Sequence, residues 1–245
     1  QATWELAAPL PPRDWFANAG IVICRPAAKG GLGAALKGGH NAEHHNHNDV
    51  GSFVVALGSS TPLVDPGAEV YTARTFSGRR YESKLLNSFG HPVPRIAGQL
   101  QQTGRQAAAH VLQTEWTDTA DTLSLDIRSA YAVKGLEKLQ RTFRFSRQGR
   151  GTLEVVDEIQ LAQPEEFETA LMTFGKWTQA TANQLTIGDR EGRVQVDIDT
   201  GGTAFTIRAE EIQEDRGGPP PTRLGIVLDQ PVRTATVRLT IRPAP

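Results

Sequence analysis

Apolar and polar residues alternate with a period of two along most of the chain. The alternation is clearest in five segments, at 122–128, 152–155, 193–199, 204–208 and 237–242. A period of two places the Leu, Ile and Val side chains on one face of a strand and the Arg, Asp and Thr side chains on the other. Antiparallel sheets that cover a core with one face have this pattern. Helical periodicity is scarce by comparison, so we predict an all-β protein.

Turn-forming residues separate these segments. Clusters rich in Gly, Pro, Ser and Asp lie at 58–62, 188–192, 201–202 and 217–221, and such clusters are typical of loops between strands. Their spacing predicts a two-layer antiparallel β-sandwich with many short strands and little helix. A chain of 245 residues is long enough for one such domain. We therefore predict a linker or edge segment at 1–13 and a single β-sandwich domain at 14–245.

Composition argues against some classes of partner. The formal net charge is −1 at pH 7, whereas proteins that coat nucleic acids or anionic membranes need a basic excess. No apolar run approaches the roughly 20 residues that cross a bilayer. The chain begins at Gln1 without a basic, apolar leader, so we expect any signal peptide to have been removed or to lie upstream. The single cysteine, Cys24, lies in an apolar segment and is expected to be a buried core residue.

Candidate chemistry concentrates in one histidine-rich segment. Four of the six histidines lie within eight residues, namely His40, His44, His45 and His47. In an extended strand, His45, His47 and Asp49 would point to one face and the residues between them to the other. This separates the imidazoles into two sets. We assign no role to His40 or His44.

Two of the histidines and one carboxylate form a candidate metal site. His47, Asp65 and His91 provide two imidazoles and one carboxylate from separate segments, a set that suits Zn²⁺. Ca²⁺ is less suited, because it prefers about six to eight oxygen ligands. The chain must bend back near Gly51 to bring His47 to Asp65. An incidental histidine run without metal is the alternative, and His110, in a strand-like segment, is interpreted as structural.

Short blocks in this region carry a resemblance to a known family. They lie at 45–53 (HNHNDVGSF), 63–67 (LVDPG), 71–72 (YT) and 87–91 (NSFGH). Together and in this order they resemble the carboxy-terminal β-sandwich domain of the heparinase II/III-like polysaccharide lyases. The signature covers roughly residues 14–105. The remainder, 106–245, is similar only as a series of strands.

The resemblance implies both a site and a larger protein. His47, Asp65 and His91 fall where zinc-binding members of the family hold their metal, and His45 falls where a catalytic histidine faces the substrate cleft. In the family an α-helical toroid precedes the sandwich and supplies the catalytic tyrosine. The resemblance therefore implies an upstream partner domain and an inactive isolated chain. It also implies β-elimination of an acidic, uronic-acid-containing polysaccharide, and hence a periplasmic or extracellular location.

β-Elimination makes demands that side chains of this region can meet. Removing the C5 proton of a uronic acid requires neutralisation of the adjacent carboxylate, and His45 is the candidate for that catalytic role. We predict five substrate-binding residues: Asn46, Asn48, Arg79, Arg80 and Tyr81. Between Arg74 and Arg105, six basic residues stand against Glu82 alone, which indicates a basic surface for an acidic glycan. An ordinary solvated loop is the alternative.

Two other functions remain open at this point. One is a non-catalytic carbohydrate-binding β-sandwich whose metal is structural. The other is a cupin-like metalloenzyme, in which a His-x-His pair and later ligands hold a metal inside a barrel. The cupin pattern expects a glutamate a few residues after the histidine pair, whereas Asp49 follows His47 too closely.

Overall fold

The structure, a computed structural model, describes residues 10–189 and 192–245. Most of the predicted linker or edge segment 1–13 lies outside the described residues, and so does part of the predicted turn at 188–192. The first described strand begins at Arg13. No helix in the described residues has the length and apolar character needed to span a bilayer.

Nineteen β-strands and three short 3-10 turns make up the regular structure of the described residues. The strands are β1 (Arg13–Phe16), β2 (Ile21–Cys24), β3 (Leu32–Lys37), β4 (His40–Asn41), β5 (Phe53–Leu57), β6 (Ser60–Leu63), β7 (Arg95–Ile96), β8 (Gly104–Ala108), β9 (His110–Trp116), β10 (Ala120–Asp126), β11 (Leu136–Ser146), β12 (Thr152–Glu165), β13 (Phe167–Thr173), β14 (Trp177–Thr181), β15 (Gln184–Ile187), β16 (Val194–Asp199), β17 (Phe205–Glu211), β18 (Thr222–Leu228) and β19 (Val232–Pro243). The 3-10 turns are Arg80–Glu82, Ser88–Gly90 and Arg128–Ala130.

All strand pairs are antiparallel, and most belong to three sheets. The largest sheet has eight strands in the order β14-β15-β16-β19-β12-β11-β10-β9. A five-stranded sheet has the order β1-β2-β3-β5-β6, a four-stranded sheet has the order β17-β18-β13-β7, and β4 pairs with β8. The amide of Val64 donates to the carbonyl of Met172 over 3.0 Å. This bond joins the end of β6, in the five-stranded sheet, to β13, in the four-stranded sheet, so these two sheets lie side by side in one layer.

The main apolar core lies between these layers. The period-two positions predicted from the sequence point into it, as shown by Leu123 and Leu125, which are fully buried on β10. Phe53 of β5 and Phe143 of β11 meet edge to face with their ring centroids 5.9 Å apart. Cys24 is buried in the same core. The predicted two-layer antiparallel β-sandwich is therefore confirmed.

The histidine-rich segment is a turn, so the separation of its imidazoles into two sets, which assumed an extended strand, does not hold. Strand β4 ends at Asn41, and the residues up to Gly51 form turns and bends. His45 has φ 57° and Gly51 has φ 88°. Both values lie outside the β region, so the chain turns at these residues and cannot continue as a strand. The alternation of His45 and His47 with their neighbours is therefore lost. The bend that we predicted at Gly51 is present.

Candidate metal centre and the surface around it

Three segments that are distant in sequence meet at one point of the sandwich. His47 lies in the turn before β5, Asp65 follows β6, and His91 follows the 3-10 turn Ser88–Gly90. One ligand-type atom of each residue lies within 4.8 Å of the other two. His91 is buried, while His47 and Asp65 are half-buried. The structure thus brings together the three residues that the sequence predicted as metal ligands.

Asp65 connects the hydrogen bonds of this cluster. Its Oδ2 accepts a 2.6 Å bond from the Ser52 hydroxyl and lies 2.9 Å from Nδ1 of His91. The other ring nitrogen, His91 Nε2, is buried and has no hydrogen-bond partner among the described residues. A buried polar atom without a partner is costly. Two imidazoles and a carboxylate fit a zinc ion, and the carboxylate also orients the histidine.

The protonation states of the cluster favour metal binding by His47. Burial, together with the nearby His91, lowers the pKa of His47 to about 4, so its ring is neutral at neutral pH and can donate a lone pair. Burial alone would lower the pKa of His91, but the carboxylate of Asp65 raises it above its ordinary value. Burial would raise the pKa of Asp65, and His91 lowers it instead. Asp65 and His91 therefore stabilise each other's charged form, and a divalent ion bound at His91 would replace the proton of that imidazole.

Two buried arginines fix the backbone of the ligand segments. Arg141 donates to the carbonyl oxygens of Gly51 over 2.8 Å and of Pro92 over 2.7 Å. Arg223 donates to the carbonyl of His91 over 3.1 Å. Both guanidinium groups are shielded from solvent. These buried hydrogen bonds thereby fix the backbone of the segment that carries His91 and of the bend after His47.

His45 lies on the surface, two residues before the candidate ligand His47 in the sequence. It is exposed, and its imidazole is parallel to the ring of Tyr71, with 6.2 Å between centroids and 2° between planes. A positive φ is uncommon for a residue other than glycine and is often found at functional sites. The structure leaves His45 accessible to a ligand. Its predicted catalytic role remains a prediction.

Three of the predicted substrate-binding residues form one hydrogen-bonded group. Tyr81 donates its hydroxyl to Oδ1 of Asn46 over 3.1 Å, and Arg80 donates to the carbonyl of Asn46 over 2.9 Å. Asn46 in turn donates to the carbonyl of His47 over 3.0 Å. These polar groups are therefore attached directly to the segment that carries the candidate ligand His47.

Asn48 does not belong to this group, and its predicted contact with substrate is not supported. Its side chain is 1% exposed, and its Nδ2 donates to the carbonyl of Gln101 over 3.4 Å. Within the turn, the Asn48 side chain points inward towards Gln101. Asn48 therefore belongs to the packing beneath the site.

The predicted basic surface is largely neutralised. Four of its six cations pair with carboxylates: Arg74 with Glu69 and Glu214, Arg79 with Glu82, Lys84 with Glu210, and Arg95 with Glu168. Most of these carboxylates come from distant parts of the chain, so the local charge count was misleading. Arg80 and Arg105 form no ion pair with any described residue. The prediction of an extended basic surface is therefore wrong. Among the predicted substrate-binding residues, Arg79 is already paired with a carboxylate, that of Glu82.

Sequence reasoning missed one buried residue that shapes the turn. Oε1 of Gln101 accepts bonds of 3.0 Å from Asn41 and from the amide of Val50, and its Nε2 donates to the carbonyl of Val50 over 2.7 Å. A further 3.2 Å bond runs to the hydroxyl of Tyr131. Nothing in the local sequence distinguishes Gln101 from its neighbour Gln102. Only the folded chain shows that it fastens both ends of the histidine-rich turn.

Comparison with known families gives one match that covers nearly the whole chain. The family model described as "Heparinase II/III-like, C-terminal" matches residues 8–239. No curated protein sequence matches the chain.

Solved structures share the fold at low sequence identity. A heparinase III, the BT4657 gene product, is 14% identical with a TM-score of 0.78, over 97% of this chain and 37% of that one. The heparan sulfate lyase HepC from Pedobacter heparinus is 15% identical with a TM-score of 0.74, over 96% of this chain and 37% of that one. A 4-alpha-glucanotransferase from Thermococcus litoralis is 9% identical with a TM-score of 0.53, over 96% of this chain and 40% of that one. The chain thus spans little more than a third of the length of the first two.

Proposed function

The chain belongs to the heparinase II/III-like C-terminal domain family, and from that membership we propose that it is the metal-binding β-sandwich of a polysaccharide lyase. The substrate class is an acidic, uronic-acid-containing polysaccharide, and the reaction is β-elimination. The observation that carries the proposal is the convergence of His47, Asp65 and His91 to within 4.8 Å. The same turn that carries His47 also carries the exposed imidazole of His45, and Arg80 and Tyr81 donate hydrogen bonds to this turn.

The three clustered residues would hold Zn²⁺. His47 supplies a neutral ring, Asp65 a carboxylate, and His91 a buried nitrogen that lacks a protein partner among the described residues. When bound, the ion supplies a positive charge and cross-links three segments of the chain. Ca²⁺ is a poorer candidate, because two of the three donors are nitrogen.

The reaction asks three things of the protein. The uronate carboxylate must be neutralised, the C5 proton must be removed by a base, and the C4–O bond must break as the C4–C5 double bond forms, with a proton delivered to the departing oxygen. In this proposal His45 serves the first need, with further N–H groups of Arg80 as additional donors and the hydroxyl oxygen of Tyr81 as an acceptor for the bound sugar. The base is assigned to an upstream helical toroid domain, in keeping with the share of the heparinase III structure that the chain covers.

The proposed substrate also suggests where the protein works. Acidic polysaccharides of this class are polymers of the cell exterior, so we propose a periplasmic or extracellular location. The isolated chain is expected to lack lyase activity, because the base comes from the other domain.

Zinc content and product formation test the proposal. The wild-type chain should bind one zinc ion per molecule, and the protein that includes the upstream domain should release unsaturated products that absorb in the near ultraviolet. His45→Ala should abolish these products while zinc remains bound. His110→Ala, which removes an exposed histidine on β9, is the matched control and should change neither quantity. Unchanged product formation in His45→Ala would remove that residue from catalysis.

A second function has some support from the same surface. Tyr71 and Phe76 are exposed aromatic side chains, and aromatic rings commonly line carbohydrate sites. A non-catalytic carbohydrate-binding domain with a structural metal would bind uronate oligosaccharides and would yield no unsaturated product even with the upstream domain present. Heparin-like and alginate-like polymers, assayed side by side, separate the two functions.

A further inference from the structure

Two aromatic side chains stand out of the surface next to His45. Tyr71 is 47% exposed and Phe76 is 68% exposed. Their rings meet at 87° with 5.4 Å between centroids, and Tyr71 is also parallel to the imidazole of His45. Exposing this much aromatic surface to water is unfavourable unless something covers it. The pair therefore marks a surface whose occupant has to be identified.

The loop beneath the two rings is held by buried polar groups. We call residues 69–77 the aromatic loop. Glu69 is 5% exposed and Thr75 is 1% exposed; the Thr75 hydroxyl donates to Glu69 over 2.6 Å and accepts from the Thr72 amide over 2.9 Å. Such buried hydrogen bonds between side chains and backbone fix a loop conformation. The exposure of the rings is thus a property of an anchored loop.

A second tie joins the aromatic loop to a distant segment. Arg74 pairs with Glu69 and donates to Glu214 over 2.9 Å. Glu214 also accepts a 3.0 Å bond from the amide of Lys84. One carboxylate thereby connects the aromatic loop to the segment that leads to His91. The rings are consequently fixed in relation to the candidate metal centre.

The size of the exposed patch favours a small occupant. Among the large apolar side chains exposed in the described residues, the aromatic loop contributes Val70, Tyr71 and Phe76. The charged pair Arg79–Glu82 follows in the exposed segment after it. An interface between domains buries roughly 600 Å² or more, which needs many more apolar side chains than three. A patch of this size instead suits a small ligand, such as one sugar ring that packs against one exposed aromatic face.

The chemistry of a pyranose fits this arrangement. One face of the sugar ring presents C–H groups that pack on an aromatic ring, while its hydroxyl and carboxylate groups point outward and need polar partners. Arg80, which forms no ion pair with a described residue, and Tyr81 lie on the adjoining segment. Arg80 donates to the carbonyls of Thr75 and Asn46, and the Tyr81 hydroxyl donates to Asn46, which leaves further N–H groups of Arg80 and the phenol oxygen of Tyr81 for a sugar. A site with an aromatic floor and a few convergent polar groups is the usual form of a small-ligand site.

We propose that Tyr71 and Phe76 form a platform that binds one pyranose ring of the acidic glycan, adjacent to the ring held at His45. The inference rests on the proposed function for the identity of the glycan. It assigns to the aromatic loop a binding subsite separate from the metal ligands. Affinity for the glycan then depends on the rings, while zinc binding does not.

Oligosaccharide titrations of this chain test the platform. The probes are uronate-containing tetrasaccharides prepared from heparin and from alginate, followed by NMR shifts of the backbone amides. Phe76→Ala and Tyr71→Ala should each weaken binding of at least one probe by about tenfold, which is roughly 1.4 kcal/mol. Tyr71→Phe, which keeps the ring, should stay within about twofold of wild type. Phe16→Ala, which removes an exposed aromatic ring on β1 (54% exposed), should change nothing.

Several results would overturn the platform. They are binding by both alanine variants at wild-type strength, and the absence of any tetrasaccharide binding by the wild-type chain. A third is unchanged glycan binding combined with weaker association of the upstream helical domain, which would make the rings a domain contact. Zinc content, measured on the same samples, tests the metal site independently. A chain that binds sugar but no zinc would keep the platform and reject the metal proposal.

Discussion

Arg141 donates a 2.7 Å hydrogen bond to the carbonyl oxygen of Pro92, the residue that follows the candidate metal ligand His91. The same guanidinium donates to the carbonyl of Gly51, at the bend that follows His47. Its remaining bonds go to Asp157, with two contacts of 2.7 Å, and to the hydroxyl of Thr169 over 2.9 Å. A single buried cation therefore connects the backbones of two ligand-bearing segments.

We predict that Arg141→Lys weakens zinc binding by roughly 10- to 100-fold, the usual effect of losing a group that orients metal ligands. A lysine ammonium cannot reproduce the fork of donors that reaches two carbonyls and a carboxylate. Competition with a chromophoric chelator measures the zinc affinity. In the metal-free protein, hydrogen exchange should also become faster at the amides around Gly51 and His91.

Arg147→Lys is the matched control for this prediction. Arg147 is also buried and pairs with a buried carboxylate, Asp121, but its other bonds go to the carbonyls of Pro12 and Arg25. This variant should lose stability without losing zinc affinity. Equal zinc affinities in Arg141→Lys and wild type, with both proteins folded, would show that the arginine only supports the core.

Removing the metal should lower the melting temperature. A ligand that binds only the folded state stabilises it by about 2.7 kcal/mol at a concentration one hundred times its dissociation constant. Thermal unfolding with zinc, with calcium and with a chelator measures the effect, and zinc should raise the midpoint the most. His47→Ala should abolish the zinc-dependent increase. An increase of the same size in that variant would place the ion elsewhere.

Gly51→Ala should destabilise the protein by about 1–3 kcal/mol. Its φ of 88° disfavours a side chain, and an added Cβ would lie 3.3 Å from Ile127 and 3.4 Å from Arg141. Gly58→Ala offers a comparison, because Gly58 has φ 61° and no atom within 4 Å of an added Cβ. Denaturant unfolding should show the larger loss for Gly51→Ala. Zinc affinity should fall in that variant and stay unchanged in Gly58→Ala.

Gln101→Ala should cost about 3 kcal/mol of unfolding free energy, since it leaves the buried amide and carbonyl of Val50 without their partner. Gln102, its neighbour, is exposed, and Gln102→Ala should stay within about 0.5 kcal/mol of wild type. Chemical denaturation followed by circular dichroism measures both. A loss in Gln101→Ala as small as in Gln102→Ala would mean that water replaces the side chain.

The local pattern of the chain determined its strands and much of its candidate site. Alternation at 152–155 and 193–199 recurs in β12 and β16, because the side-chain direction in a strand depends only on the backbone of neighbouring residues. The candidate ligands His47, Asp65 and His91 were identified from residue type, and the sequence placed Gly51 at the necessary bend.

The tertiary structure alone decided the direction of side chains in the turn and the net charge of the surface. Asn48 faces inward because Gln101, 53 residues away, accepts its hydrogen bond. Arg74 is neutralised by Glu214, which lies 140 residues further along the chain. The aromatic platform of Tyr71 and Phe76 likewise depends on where the aromatic loop is anchored. Burial, pairing and exposure are set by contacts between residues far apart in sequence, and local alternation carries no information about those contacts.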